Sequence, residues 1–467
     1  MDFLPLCKLF TNRGKQIIIL MNLIRACYTS HSNKKAGNVS TYIKKITTYC
    51  GLGVFGLAGV AGIAHADDKS SQINSVLSKP KISKALRDVA KPLPRLTPSR
   101  VNKMRASGDK VPGEDTGYVV PNYSYPMVAE YLDKAADMPA DGVIQYEVTN
   151  GGKFQRNAAA NVTLGAGFDG LGNVTGVAPP DTNADVGPDH IVQTVNVALG
   201  VWDKEGNELL APTAINVLWD GFGGLCESNN NGDPIVLYDS QADRWMITQF
   251  AFPSGFDNNR ACIAISRTGD PTGEYYLYDF LYSNVKFNDY PHYGVWTDAY
   301  YAGVNQFTGN SFTGSGVVAY ERDKMLAGQP AQQVIIDLET SQPNAFTPMP
   351  ADIDGIFLPP SDMPGIFVTA DDPGELNVWH FDVDWDNTDN SSFTLAETLT
   401  VDAYNGGVCN FSRDCIEQPN TQNLDAIGQR MMFRLAYRNL GGTQHKLVAN
   451  HTVIGSSTDN NIAGVRW

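Results

Sequence analysis

Short apolar and aromatic runs, separated by polar clusters rich in Gly, Asn, Asp and Pro, fill the chain from residue 165 to residue 467. No long stretch in this part of the sequence repeats its apolar positions with the period of a helix. Apolar runs of about four to eight residues between turn-forming clusters are typical of β-strands. The pattern therefore predicts an all-β fold for residues 165–467.

Several of the predicted strands resemble one another, since each ends in an aromatic residue and a carboxylate and is followed by a turn. These strands are Ala198–Asp203, Ile235–Asp239, Val317–Glu321 and Asn377–Asp382. Between two further predicted strands, Asp270-Pro-Thr-Gly273 has proline and glycine where a tight turn favours them, which predicts a hairpin. Repeated hairpins of this kind predict the blades of a β-propeller, and a β-sandwich is the alternative.

The length of the predicted propeller gives an estimate of the number of its blades. Residues 175 to 467 number 293, which corresponds to about six and a half blades at ~45 residues each. The chain stops at Ala463-Gly-Val-Arg-Trp467, a run typical of the start or middle of a strand. We therefore expect six to seven blades, the last one incomplete, in a chain truncated at its C-terminus.

Residues 1–66 have the features of a leader. Lys44 and Lys45 precede an apolar run at residues 51–63, and Ala64-His65-Ala66 follows it. Basic residues, a short apolar run and an A-x-A site predict a secretory signal peptide cleaved after Ala66. A buried helix is the alternative, but the glycines of the run disfavour a helix. We expect a protein secreted to the extracellular space or periplasm, with no membrane span in the mature chain.

Charge divides the mature chain into two parts. Residues 67–110 carry 11 basic and four acidic side chains, whereas residues 111–467 carry 16 basic and 45 acidic ones. Prolines and like charges predict a linker and N-terminal extension over residues 67–164, with short helices at Ile82–Val89 and Tyr125–Ala136. The strongly acidic body excludes nucleic acid as a partner, because phosphate binding needs a basic surface.

Cysteine use agrees with export. Three of the seven cysteines lie in the leader, which leaves an even number in the mature chain. Four cysteines allow three pairings, and nearness in sequence favours Cys226–Cys262 and Cys409–Cys415. Zinc binding is the alternative, but neither the C-x2-C spacing nor a neighbouring histidine pair supports it.

Several motifs together resemble a family of uncharacterised bacterial exported proteins with a propeller-like fold. The motifs lie between Gly165 and Trp467, and the most specific are the run from Ala178 to His190, the run Gly232–Asp239 with Ala242-Asp-Arg-Trp245, and Thr268–Gly273. Tyr290-Pro291, Gly294–Asp298, Lys324–Pro330 and Arg434-Leu-Ala-Tyr-Arg438 add to the resemblance. The family has no settled activity to transfer. Its members continue for another blade past the equivalent of Arg466-Trp467, which implies the truncation noted above.

Asp181, Asn183 and Asp185 present oxygen side chains at alternate positions before a turn. Such a pattern suits calcium, which prefers about six to eight oxygen ligands, so these residues are the predicted metal ligands. The spacing departs from an EF-hand, because Val186 precedes the glycine and position twelve is Val192. The alternative is an Asx-turn. Asp233, Asp239 and Asp243 form a second acidic cluster in the sequence.

Evidence for a reaction is weaker. The sequence has neither a G-x-S-x-G nor an H-E-x-x-H motif, which disfavours a serine hydrolase or a zinc protease. We therefore predict a secreted module that binds an extracellular polysaccharide or protein, with calcium as its one expected cofactor. A carbohydrate-active enzyme, a glycosidase or lyase using two of the many carboxylates, is the main alternative. A truncated remnant without function is the other.

Overall fold

The structure is a computed structural model that describes residues 72–93 and 167–467, apart from residues 178, 372, 413–414, 418–422 and 457–458. The predicted signal peptide, the predicted helix at residues 125–136 and most of the predicted linker lie outside these ranges. The described residues form 21 strands and only short helices, so the all-β prediction is confirmed. None of their helices is long and apolar enough to cross a membrane.

Most strands belong to five consecutive antiparallel groups. The first group contains β3 (Asn183–Val186), β4 (His190–Val195), β5 (Ala198–Asp203) and β6 (Glu208–Ala214). The second contains β7 (Gly232–Asp239), β8 (Arg244–Ala251), β9 (Asn259–Ser266) and β10 (Tyr275–Ser283), and the third contains β11 (Phe287–Val295), β12 (Tyr300–Thr308), β13 (Ser311–Tyr320) and β14 (Ala331–Asp337). The fourth contains β15 (Met349–Asp354), β16 (Gly365–Thr369), β17 (Glu375–Asp382) and β18 (Ser392–Thr400), and the fifth contains β19 (Met431–Asn439), β20 (His445–Ile454) and β21 (Ala463–Arg466).

Short helices connect or precede some of these strands. The α-helices are α1 (Leu86–Val89), α2 (Leu225–Ser228) and α3 (Arg322–Leu326). The 3-10 helices are Ile215–Trp219, Thr388–Asn390 and Val408–Phe411.

The cores lie between neighbouring groups. Strand β8 shows why, because Met246 packs with residues of the third group and the next residue, Ile247, packs with residues of the first group. Successive side chains of a strand point to opposite faces, so a strand that is buried on both faces needs apolar residues at nearly every position. The near-continuous apolar run of β8 therefore places the second group as a layer between two cores.

The first strands of the five groups lie side by side in sequence order. Strand β3 packs against β7, β7 against β11, and β11 against β15. Strands β15 and β19 are hydrogen-bonded in parallel, with Ala351 opposite Leu435 and Asp354 opposite Arg438. Side chains on the first strands of different groups can therefore contact one another.

The hairpin predicted at residues 270–273 is confirmed. The backbone N–H of Gly273 donates to the carbonyl of Asp270 at 3.2 Å, and strands β9 and β10 pair on either side of the turn. The described residues contain five strand groups, fewer than the six to seven blades estimated. The first strands of successive groups begin 49 to 82 residues apart, because loops between strands are longer than a blade of ~45 residues allows.

The described part of the predicted linker is ordered against the body. Strand β1 (Gln72–Ser78) pairs with β14, and β2 (Lys81–Ile82) pairs with β10. Further along, the N–H of Leu93 donates to the carbonyl of Pro212 in β6 at 2.7 Å. This segment, residues 72–93, is called the strap below. It contacts β14, β10 and β6 in turn, each the fourth strand of its group. The sequence instead predicts a solvated linker here.

Two kinds of contact, apolar and ionic, explain why the strap binds to the strand groups. Leu86, in the helix α1 that lies inside the predicted helix at residues 82–89, is fully buried in the core with Trp219 and Leu277. The basic side chains that predict a solvated segment instead meet the acidic body: Lys84 pairs with Asp220 at 2.7 Å, and Arg87 pairs with Asp270 at 2.9 Å.

Candidate functional site

The three predicted calcium ligands all accept hydrogen bonds from the protein. The Asn183 side-chain oxygen accepts from the N–H of Val236 at 2.8 Å, and Asp185 accepts from the N–H of Tyr238 at 2.7 Å. Asp181 accepts from the side-chain amide of Asn196. The side chains of Asn183 and Asp185 therefore bind β3 to β7. Asp181, just before β3, binds the residue that follows β4.

Within the ranges that the structure describes, no group of three or more His, Cys, Asp or Glu side chains is arranged to hold a metal ion. Calcium binding by Asp181, Asn183 and Asp185 stays a prediction.

The second acidic cluster of the sequence is dispersed. Asp239 is buried and accepts hydrogen bonds from Arg322 and Tyr300, while Asp243 accepts one from the Tyr238 hydroxyl at 2.7 Å. Asp233 lies elsewhere, at the beginning of β7. Residues that are close along the chain thus contact different partners, because Asp233 and Asp239 lie near opposite ends of an extended strand and Asp243 lies beyond it.

Asp233 instead meets Asp181 and Asp289, at or just before the starts of three successive first strands. The side chains of Asp181 and Asp233 are hydrogen-bonded to each other, and the charge of Asp289 acts on both. Burial raises the pKa of Asp181 to about 6 and holds the pKa of Asp233 well above its usual range. The raised pKa values favour a proton on this pair at mildly acidic pH, and the contact joins the first two groups.

A different set of charged side chains converges farther along the first strands. Arg434, on β19, has its Nη2 atom 2.5 Å from the carboxylate of Asp354. Its Nε atom lies 3.0 Å from Oδ2 of Asp352, an ion-pair contact without the alignment of a hydrogen bond. The charges of Asp185 and Arg434 also act on each other. We call Asp185, Asp352, Asp354 and Arg434 the Arg434 site.

The Arg434 site draws on the first strands of the first, fourth and fifth groups. The backbone holds its carboxylates in place, because Asp352 accepts from the N–H of Val295 on β11 at 2.9 Å, as Asp185 does from Tyr238 on β7. The site reaches solvent at Asp354, whose side chain is 40% exposed, and at Arg434, which is 33% exposed. Asp352 lies beneath them and is buried.

Burial sets the protonation of the Arg434 site. It raises the pKa of Asp352 to about 7, against the opposing charge of Arg434. Burial also raises the pKa of Asp185, while the backbone N–H groups of Tyr238 and Val186 and the charge of Arg434 lower it. The site therefore combines Asp352, which holds a proton at mildly acidic pH, and Asp185, whose pKa is raised, with an ion-paired carboxylate, an arrangement that suits acid–base chemistry.

Of the predicted site residues, only Asp185 belongs to the Arg434 site. Asp352 and Asp354 are spaced two apart in the sequence, and Arg434 begins one of the motifs of the family resemblance. Nothing in the sequence relates these residues to each other, because 80 positions separate Asp354 from Arg434. The parallel pairing of β15 and β19 brings them together.

Both cysteine pairs predicted from the sequence lie at bonding distance. The Cα atoms of Cys226 and Cys262 are 5.7 Å apart, and those of Cys409 and Cys415 are 6.1 Å apart. The first bridge joins α2 to β9 inside the core. It stabilises the region between the first and second groups and lies outside the Arg434 site.

No family model and no curated protein matches the chain. Seven solved chains match in structure. One is a GH43 β-1,3-galactosidase, at 14% identity over 61% of this chain and 54% of that one, with a TM-score of 0.28. The native arabinanase Arb43A of Bacillus subtilis matches at 10% identity, over 61% of this chain and 91% of that one, with a TM-score of 0.28.

A second GH43 β-1,3-galactosidase, solved with galactodeoxynojirimycin, matches at 8% identity over 62% of this chain and 89% of that one, with a TM-score of 0.30. This chain spans about half the length of the first of these proteins. TM-scores below 0.5 do not establish a common fold, and no activity follows from them for this chain.

Proposed function

We propose that the five strand groups are blades of a propeller-like domain and that the Arg434 site cleaves glycosidic bonds by acid–base chemistry. The order of the first strands supports the propeller, since in that fold the first strands of successive blades surround one axis. The estimate of six to seven blades stays a prediction.

One observation carries the proposed activity: Asp354 on β15 pairs with Arg434 of another group, and the charge of Asp185, on β3 of a third group, acts on the same arginine. Glycoside hydrolysis needs one carboxyl group that gives a proton to the leaving oxygen and one carboxylate that acts as base or nucleophile. Asp185, whose pKa burial raises, is suited to donate the proton. Asp354 is suited to be the carboxylate, because it is solvent-accessible and paired with Arg434.

The other two residues of the site act on this pair. Arg434 fixes the position of the Asp354 carboxylate and supports its charge. Asp352 is buried and contacts Nε of the same guanidinium at 3.0 Å. We assign positioning roles to Arg434 and Asp352, since neither needs to contact the sugar.

The test is the release of reducing ends from soluble polysaccharides by the mature chain, residues 67–467. We expect Asp185→Asn and Asp354→Asn each to lower the rate at least 100-fold, because removal of a catalytic acid or base costs about that much or more. The amide oxygen introduced by Asp185→Asn can still accept the hydrogen bond from the N–H of Tyr238, so folding is preserved. Asp279→Asn is the matched control, as it alters a partly buried carboxylate that pairs with Arg260 on β9.

A polysaccharide that binds without release of new reducing ends would contradict the reaction and favour the binding module predicted from the sequence. The same holds if Asp185→Asn and Asp354→Asn are as active as Asp279→Asn. Calcium binding by Asp181, Asn183 and Asp185 is a separate proposal, tested by thermal unfolding with calcium and then with a chelator.

A further inference from the structure

The loop that follows β15 exposes three apolar side chains in succession. Ile356 is 89% exposed, Phe357 52% and Leu358 48%. The loop turns sharply at Gly355, whose φ of +83° favours glycine. An exposed apolar run of this kind on a monomeric domain commonly marks a binding surface.

The loop is anchored at two points. The side-chain amide of Asn439, at the end of β19, donates to the carbonyl of Leu358 at 2.6 Å. The indole N–H of Trp296 donates to the carbonyl of Met363 at 3.1 Å. Residues 356–358 lie between the end of β15 at Asp354 and the anchor at Leu358, so this short segment is held at both ends while its side chains are exposed.

The loop lies beside the Arg434 site. Asp354 is the last residue of β15, and Phe357 follows three residues later, at most about 10 Å farther along the chain. Arg434 and Asn439, which anchor the site and the loop, lie on the same strand. Phe357 therefore lies within reach of a ligand that extends past Asp354.

The chemistry of the two neighbours limits the ligand. The solvent-accessible carboxylate of the site can bind hydroxyl groups, whereas the ring of Phe357 packs against an apolar surface. A sugar ring presents both, hydroxyl groups at its rim and C–H groups on its face. The net charge of residues 111–467 is −29, and a field of that sign repels polyanions.

We propose that residues 356–358 bind a neutral polysaccharide chain that extends from the Arg434 site, with Phe357 against the face of a sugar ring. This proposal rests on the proposed function, because the Arg434 site supplies the polar contacts. A lipid surface or another protein would also contact an apolar loop, and the test below separates those outcomes.

The test is affinity electrophoresis of the mature chain, residues 67–467, in gels that contain neutral arabinan, galactan or xylan, or acidic polygalacturonate or alginate. We expect binding to at least one neutral polysaccharide, a loss of at least tenfold in affinity in Phe357→Ala, and no binding to the acidic ones. Leu399→Ala is the matched control, since it removes a 39% exposed apolar side chain from β18, the fourth strand of its group. Both variants should unfold at the wild-type temperature.

Binding to acidic polysaccharides alone, or binding to none of the five, would overturn the proposal. So would neutral binding that Phe357→Ala leaves intact, or retention of the wild type on phosphatidylglycerol vesicles that Phe357→Ala abolishes. The proposed reaction fails separately: if Phe357→Ala weakens binding but the wild type releases no reducing ends, the loop proposal stands and the acid–base role falls. Hydrolysis that depends on Asp185 but not on Phe357 removes the loop proposal alone.

Discussion

A buried ion pair shows how single side chains join neighbouring strand groups. Asp239, at the end of β7, is 1% exposed, and Arg322, at the start of α3, is 7% exposed. Arg322 donates from Nε at 2.7 Å and from Nη2 at 2.9 Å, and the Tyr300 hydroxyl donates to the same carboxylate at 3.0 Å. Such a bidentate pair satisfies both charges, so its partners depend on each other.

Arg322→Ala should therefore lower the free energy of unfolding by about 3–5 kcal/mol, because it leaves a carboxylate buried without its cation. Urea unfolding of the mature chain measures this. Lys84→Ala is the control, since it breaks an ion pair that is exposed on both sides and should lower the midpoint much less. Equal midpoints for the two variants would show that Asp239 finds another partner.

Asp352 predicts a pH dependence with a definite sign. Its pKa in the folded protein is about 7, and that of an unfolded aspartate is about 3.9. Between these values the folded state keeps a proton that the unfolded state has lost, so the contribution of Asp352 to stability falls as pH rises from about 4 to about 7. Thermal unfolding across this range should show the fall in the wild type.

Asp352→Asn removes the titration, because asparagine has the same charge at every pH. The difference in melting temperature between wild type and Asp352→Asn should therefore change steadily between pH 4 and pH 7, always in the direction that favours the variant at higher pH. A constant difference would mean that the ion pair with Arg434 keeps the carboxylate charged throughout.

At the scale of elements, the strap depends on a few buried residues. Leu86 is fully buried, whereas Leu77, in β1 of the same strap, is 59% exposed. We expect Leu86→Ala to lower the free energy of unfolding by about 2–5 kcal/mol, as large-to-small changes in a core do. Leu77→Ala should change it by less than about 0.5 kcal/mol. Urea unfolding compares the two, and equal effects would return the strap to the linker predicted from the sequence.

The sequence predicts elements well where the pattern is local. The turn at residues 270–273 and the strand at residues 198–203 follow from turn residues and apolar runs, which act within a few positions. The sequence does not predict that the strap binds the body. Strand β2 has only two residues, and the basic side chains of the strap find acidic partners only in the folded protein. The Arg434 site was missed for a similar reason, since Asp354 meets Arg434 only after β15 and β19 have paired.

At the scale of the whole molecule, the two disulfides should contribute unequally to stability. Cys226 and Cys262 are 36 positions apart, and Cys409 and Cys415 only six. In the chain-entropy model these loops are worth about 4 and about 2 kcal/mol. The first bridge is also buried in the core. Urea unfolding of the double alanine variants should rank Cys226/Cys262 as the larger loss, and the opposite order would show that chain entropy does not decide.

The strap has a consequence for behaviour in concentrated solution. An outermost β-strand offers a row of unpaired N–H and C=O groups on which another chain can add a strand, and this is a common start of aggregation. Strand β1 covers all seven residues of β14, from Ala331 to Asp337, and β2 covers part of β10. A protein cut between the strap and the body would expose β14 to its neighbours. The same 22 residues therefore move the outer edge of the third group from β14 to β1, and their loss would return that edge to β14.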